Sequence, residues 1–287
     1  MLLSMTGFGK ARKQNNDMEI VVEIRSLNSK NQDIKIRIPS GYKEKETDIR
    51  SLILNKLIRG KIDINLQIED LSGNTLTKIN PQALQSYLAQ LKQIKPNIDE
   101  NLAINSIIRL PDVLKTEEKE LDEKLWKAIK NVVEEAIEQL INFRLQEGKS
   151  IEKDLHNNIL FIQKKLQTIV AEDENRIKTK KEKIRSELEK LKMEIDENRL
   201  EQELIYYIEK FDINEEIIRL KNHLDYFINQ LNSEQMSKGK KLGFIAQEIG
   251  REINTIGSKA NDSIIQKSVV EMKDALEKIK EQVLNVL

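Results

Sequence analysis

The feature that most constrains this chain is where its prolines stop. Pro39, Pro81, Pro96 and Pro111 are the only four, so residues 112 to 287 contain none. Proline interrupts helix interiors and central strands alike, so a long proline-free stretch with helical periodicity is free to run as long helices. Residues 118 to 170 carry that periodicity, and Gly148 predicts a break or kink within it. Ile177, Ile184, Leu188, Leu191 and Ile195 follow at heptad-like spacing with Glu and Lys between them. That pattern fits a short coiled-coil hairpin arm and, equally, a solvated helix resting on one neighbour. Residues 262 to 287 form a last amphipathic segment, and no strand-like alternation returns after Pro111.

Before Pro111 the dominant period is two. Ile20, Val22 and Ile24 alternate with Glu19, Val21, Glu23 and Arg25; Ile34, Ile36 and Ile38 repeat the pattern, as do Ile62, Ile64, Leu66 and Ile68. These predict three strands. Ile49, Leu52, Ile53 and Leu57 sit at helical steps, and Arg59-Gly60-Lys61 ends that helix ahead of the third strand. Asn80 before Pro81 starts another helix, with proline at a position where its missing N–H costs nothing. The expected fold is therefore α+β: a mostly antiparallel sheet domain with helices over residues 1 to 115, then a larger all-helical domain over residues 116 to 287 with a candidate coiled-coil arm.

Composition removes several function classes. There are no cysteines, which excludes disulfides, thiolate metal sites and a Cys nucleophile. Lys and Arg total 48 against 48 Asp and Glu, so no global field advertises nucleic acid, and 4% aromatic residues leave little for a broad base-stacking platform. No apolar run approaches the roughly 20 residues that span a bilayer, and the N-terminal residues lack the apolar core of a signal peptide. A soluble, cytoplasmic protein without a membrane partner is expected. Neutral overall charge nonetheless hides two basic regions. Residues 25 to 61 hold ten cations and four acids, and residues 238 to 259 hold five cations and two acids. Arg25, Arg59 and Lys61 in the first, and Lys240, Lys241 and Lys259 in the second, are candidate RNA-phosphate contacts.

Residues 239 to 262, GKKLGFIAQEIGREINTIGSKAND, place amides, carboxylates and cations at helical spacing beside a modest apolar stripe. If helical from about Lys241, the segment puts Gln247, Arg251, Asn254 or Thr255, and Ser258 on one face. Glu248 and Glu252 form a second row. Leu242, Ile245, Ile249 and Ile253 would pin the helix to the domain. Two carboxylates one turn apart can share a divalent ion, and Mg²⁺ or Mn²⁺ prefers oxygen ligands; the plainer alternative pairs each with Arg251, Lys241 or another helix. Glu147 and Asp154 form another acidic row, seven residues apart. His223 follows Glu216 and Arg219 on one helical face, a set that could act as base, phosphate clamp and general acid. The plainer reading is an exposed helix held by a Glu216–Arg219 pair.

The segment 239 to 262 also resembles the C-terminal signature of the YicC family, bacterial proteins regarded as metal-dependent endoribonucleases. The resemblance extends to SMTGFGKA at residues 4 to 11, EIRSLNSKNQDIKIRIP and RGKIDINLQIE in the sheet region, RLQEGKSIEKDL at 144 to 155 and EEIIRLKNHLDYF at 215 to 227. Gly243 and Gly250 depart from it, standing where the family usually has Asp and Asn. The resemblance implies internal cleavage of RNA phosphodiester bonds, in RNA turnover or small-RNA decay, with a divalent Mg or Mn ion and a ring-like homohexamer. On that reading Glu248 and Glu252, with Glu147 or Asp154, hold the ion; Arg251, Lys241 and Lys259 hold phosphates; and His223 protonates the leaving oxygen. A non-catalytic RNA-binding adaptor that recruits another nuclease, and a structural oligomer whose motif is a subunit interface, are the alternatives.

Overall fold

The structure is a computed structural model that describes residues 2–14, 18–29, 31–71, 77–116, 123–190, 206, 210–235 and 237–287. Its first layer is a four-stranded sheet of β1 (Gly7–Gln14), β2 (Met18–Leu27), β3 (Asp33–Arg37) and β4 (Lys61–Asp70), in the order β1-β2-β4-β3. The β1–β2 and β2–β4 pairs are antiparallel, whereas β3 lies parallel to β4. The crossover that a parallel pair requires is a 3₁₀ segment, Ser40–Lys45, leading into α1 (Glu46–Lys56). Ile20, Val22, Ile24, Ile62, Ile64 and Leu66 point to one face and are buried with Ile49 and Ile53 of α1. The opposite face carries Glu23, Arg25 and Lys61 and is polar, the usual division in a sheet covered on one side only.

A small unit follows: β5 (Thr77–Ile79), α2 (Pro81–Ile94), α3 (Glu100–Ile107) and β6 (Leu114–Thr116), with β5 and β6 antiparallel around a core of Ala103, Ile107 and Val113. Asn80 caps α2 by accepting from the Ala83 N–H, with Pro81 behind it as expected. The short strand β6 contradicts the expectation that strands end at Pro111: it pairs Leu114 with Ile79 across the unit.

α4 (Glu123–Lys190) then runs as one helix and joins both halves of the molecule. Ile129, Val132, Val133, Ala136, Ile137 and Leu140 close the sheet's core, while Ile151, Leu155, Ile159, Ile162, Leu166 and Ile169 enter a second core with α5 (Asn214–Leu231), α6 (Gly239–Lys259) and α7 (Ser263–Val283). The break expected at Gly148 is absent. A Cβ there would lie 2.0 Å from the Leu2 carbonyl oxygen, so the glycine serves a close crossing of two backbones rather than a bend. Of the candidate coiled-coil positions, Leu191 and Ile195 lie outside the described residues, as do the side chains of Ile177, Ile184 and Leu188.

The ends of the chain stitch the halves together. The Met5 N–H donates to the Asn285 carbonyl (2.8 Å), the Leu287 N–H to Leu3 (3.0 Å), and the Lys238 N–H at the start of α6 to Leu287 (2.8 Å). Among the described residues no helix is long and apolar enough to cross a membrane.

Candidate functional site

The motif segment folds as α6, as its periodicity predicts, from Gly239 to Lys259. Leu242, Ile245, Ile249 and Ile253 are buried in the second core. Successive residues turn by about 100°, so the two polar rows leave α6 a little over a quarter turn apart. Gln247, Arg251, Asn254 and Ser258 face outward. Among the described residues Thr255 and Ser258 donate only to nearby backbone carbonyls, those of Arg251 and Thr255. Glu248, Glu252 and Lys259 lie on the flank shared with α5.

α5 and α6 are antiparallel neighbours whose register is fixed at two levels. Lys259 Nζ donates to Glu216 Oε1 at 2.7 Å, and the buried Lys238 Nζ donates to the Leu231 carbonyl at 2.8 Å. Glu216 is buried, and its second oxygen, Oε2, has no partner among the described residues. The expected Glu216–Arg219 pair does not form: Arg219 pairs with Glu215 on the exposed side. From the Glu216–Lys259 pair, seven residues along α5 reach His223 and seven back along α6 reach Glu252. Equal axial steps in opposite helix directions bring these two side chains level along the α5–α6 groove. His223 is half-buried and Glu252 buried, and among the described residues neither is taken up by a hydrogen bond or ion pair. Glu248, one turn from Glu252, is shared with Arg251 at 3.0 Å. Lys241 lies beside the same groove, its Nζ 5.3 Å from the centre of the Tyr226 ring.

The other two carboxylates do not join this group. Glu147 on α4 accepts from the Thr6 hydroxyl at 2.6 Å, and Asp154 is exposed two turns on. Within the helical half, α4 packs mainly on α7 and to a lesser extent on α5, rather than on α6. No three of the described His, Asp and Glu side chains stand close enough together to share a metal, so Glu147 and Asp154 do not complete a ligand set with Glu248 and Glu252 within one chain.

The flank of α6 facing α7 borders an open cleft of about 870 Å³, lined by Met5 and Arg59 from the sheet domain, Lys240, Gly243, Phe244 and Gln247 from α6, and Glu277, Lys280, Glu281, Val283, Leu284 and Val286 from the C-terminal segment, along with Gly239. Arg59 and Lys240 come from the two basic regions, which the fold brings to one wall. The others are dispersed. Arg25 and Lys61 stand on the open face of the sheet, Arg25 with its guanidinium 5.8 Å from the Phe8 ring, and Lys259 is committed to Glu216.

Behind that cleft lies a residue the sequence did not single out. Arg144 of α4 is buried with no carboxylate partner among the described residues, and burial pushes its guanidinium below its usual pKa. Its Nη2 donates to the carbonyls of Met5 (3.3 Å) and Arg59 (3.2 Å) and contacts Ser26 Oγ. Met5 and Arg59 are cleft residues, so this buried cation fixes the wall and adds positive charge behind it. Only its interruption of the apolar row on α4 could have drawn attention to it.

The class is that of α+β proteins in which a long helix shared by both halves and a helical C-terminal core carry a polar motif helix beside an open cleft. Residues 2–153 match the family profile described as Endoribonuclease YicC-like, N-terminal region, and residues 169–287 match Endoribonuclease YicC-like, C-terminal. The chain belongs to this family. It is 35% identical over 298 residues to a Clostridioides difficile (strain 630) protein named probable endoribonuclease YicC, and 29% identical over 295 residues to a Haemophilus influenzae protein of the same name; each alignment covers 100% of both chains.

Proposed function

We propose that this chain cuts RNA internally by metal-dependent hydrolysis, in the turnover of RNA including small RNAs, with the α5–α6 groove as the reaction centre. What supports this reading is that His223 and Glu252, which the helix register puts at about the same height, have no hydrogen-bond or ion-pair partner among the described residues of a chain in a family of endoribonucleases.

The donor set suits a magnesium-like ion. Glu248 and Glu252 offer two hard oxygen ligands on adjacent turns of one flank, and Mg²⁺ commonly takes one or two carboxylates, leaving its other positions to water and substrate phosphate. When bound, Mg²⁺ or Mn²⁺ would supply a nucleophilic water and Lewis-acid charge at the phosphorus. Glu252 has no protein partner among the described residues and keeps about 9% of its surface exposed, so its carboxylate is free to take a cation. Arg251, 74% exposed at its side chain and already beside Glu248, holds a non-bridging phosphate oxygen. His223 delivers a proton to the departing ribose oxygen. Arg59, Lys240 and Lys241 hold neighbouring phosphates, and a homohexamer presents several such sites to one RNA.

The experiment is an incubation of purified protein with end-labelled RNA, with and without EDTA, using a parallel substrate that carries a 2′-deoxy sugar at the cleavage position. Hydrolysis requires metal and cuts both substrates. Full activity in EDTA with cyclic-phosphate products would move the chemistry to the RNA's own 2′-hydroxyl, and no cleavage under any condition would favour an adaptor.

A further inference from the structure

The cleft between α6 and α7 does not contain the groups assigned to cleavage, yet it is built for a ligand. Phe244 stands on its rim with 58% of its surface exposed, costly for a phenyl ring that could have been buried. Lys240, one turn earlier, reaches over the ring with Nζ 6.0 Å from its centre. Arg59 faces the same space from the sheet domain, its own Nε held by the Ser29 carbonyl at 3.1 Å, and the buried Arg144 stands behind it. The opposite wall is different. There Lys280 is neutralised by Glu277 at 2.8 Å and Glu281 adds a further negative charge. Phosphate is therefore attracted to the Arg59–Lys240 wall and repelled from the α7 wall.

We propose that this cleft binds one unpaired nucleobase of single-stranded RNA, stacked on Phe244, with its flanking phosphates on Lys240 and Arg59. Base-on-aromatic stacking beside a cationic backbone track is how single strands are held. The volume fits, since small-ligand sites occupy about 300–1,000 Å³. Gln247, one turn beyond Gly243, offers an amide donor and acceptor, and Glu281 an acceptor, to the edge of the base. A base inside a duplex exposes no face to Phe244, so the cleft distinguishes single strands from paired RNA. This inference rests on the proposed RNA-cutting function and names the form of RNA held beside the reaction centre. It agrees with the expectation drawn from 4% aromatic content: with no broad platform, one well-placed ring serves.

The test compares binding of a short unstructured RNA with binding of the same sequence as a blunt duplex, for the wild-type chain, Phe244→Ala, Phe244→Leu and Phe244→Trp. Single-strand affinity should fall by about tenfold, or about 1.4 kcal/mol, in the Ala and Leu variants, with duplex affinity unchanged. Phe244→Trp should retain affinity, and its added fluorescence should be quenched when the single strand binds. Leucine binding as well as phenylalanine, equal losses for both RNA forms, or an unquenched tryptophan would each overturn the stacking proposal while leaving the cleavage proposal standing. A wild-type chain that binds neither RNA form would overturn both. Phe244 is exposed, and thermal melts of the three variants verify that any loss is not unfolding.

Discussion

Lys259 meets Glu216 at 2.7 Å across the α5–α6 interface, and this pair, with the Lys238–Leu231 contact at the other end, sets the register that brings His223 level with Glu252. Glu216 is almost wholly buried with one oxygen unpartnered among the described residues, whereas Lys259 retains about a third of its exposure. Removing the lysine alone therefore leaves a stranded carboxylate.

Lys259→Ala should destabilise the protein by about 2 kcal/mol, less than the ~3–5 kcal/mol of a fully buried pair because water still reaches the lysine. Replacing both partners, Glu216→Leu with Lys259→Leu, should return stability close to wild type. Urea denaturation measures both, and a double variant no more stable than Lys259→Ala would show that the pair does more than neutralise one buried charge.

Arg144→Ala should cost about 3 kcal/mol, since the Met5 and Arg59 carbonyls and the Ser26 hydroxyl lose their shared donor. Arg144→Lys should recover only part of that loss, because an ammonium cannot reproduce the fork of a guanidinium. Denaturation midpoints of the two variants check the order.

Gly148→Ala and Gly243→Ala, both within helices, should shift stability in opposite directions. At Gly148 the new methyl meets backbone at 2.0 Å and should cost about 3 kcal/mol. At Gly243 it meets, among the described residues, only Val283 Cγ1 at 3.7 Å, so the gain in helix propensity, up to about 1 kcal/mol, should show as a higher melting temperature.

Those two glycines also show what the sequence discloses and what it conceals. Strands β2, β3 and β4 and helix α6 were legible because large apolar side chains mark their buried faces. β1 was not, because α4 crosses so near that Gly9 and Ala11 occupy its buried positions; a Cβ on Gly9 would lie 2.1 Å from the Ala136 carbonyl oxygen. The alternation is present there, but in residues too small to register as hydrophobic. Gly148 looked like a helix breaker for the same reason: a close approach and a turn both ask for glycine. Within the candidate site, the acidic pair and His223 were legible from helical spacing. Their common level along the two helices was not, because it depends on the Glu216–Lys259 contact between α5 and α6, and spacing within α5 favoured Arg219 as the partner instead. The cleft was equally hidden, since Arg59 and Lys240 meet only when the chain ends stitch the sheet domain to α7.

Arg59→Ala with Lys240→Ala should weaken RNA binding and flatten the slope of log affinity against log salt by about 1.4, at roughly 0.7 per single-strand phosphate contact. Arg25→Ala with Lys61→Ala, on the open face of the sheet, should alter that slope less. Binding isotherms at several salt concentrations separate the two pairs, and equal effects would place the RNA on the sheet face as well.

The most direct measurement is single-turnover RNA cleavage by Glu252→Gln beside wild type, in Mg²⁺ or Mn²⁺, with RNA affinity and sedimentation recorded on the same samples. Glutamine preserves the size of the side chain while removing the charge that would hold the ion. The expected result is cleavage reduced by at least about 10²-fold, comparable to losing a principal catalytic group, with affinity and assembly retained. Cleavage at the wild-type rate would contradict the placement of the reaction centre in the α5–α6 groove.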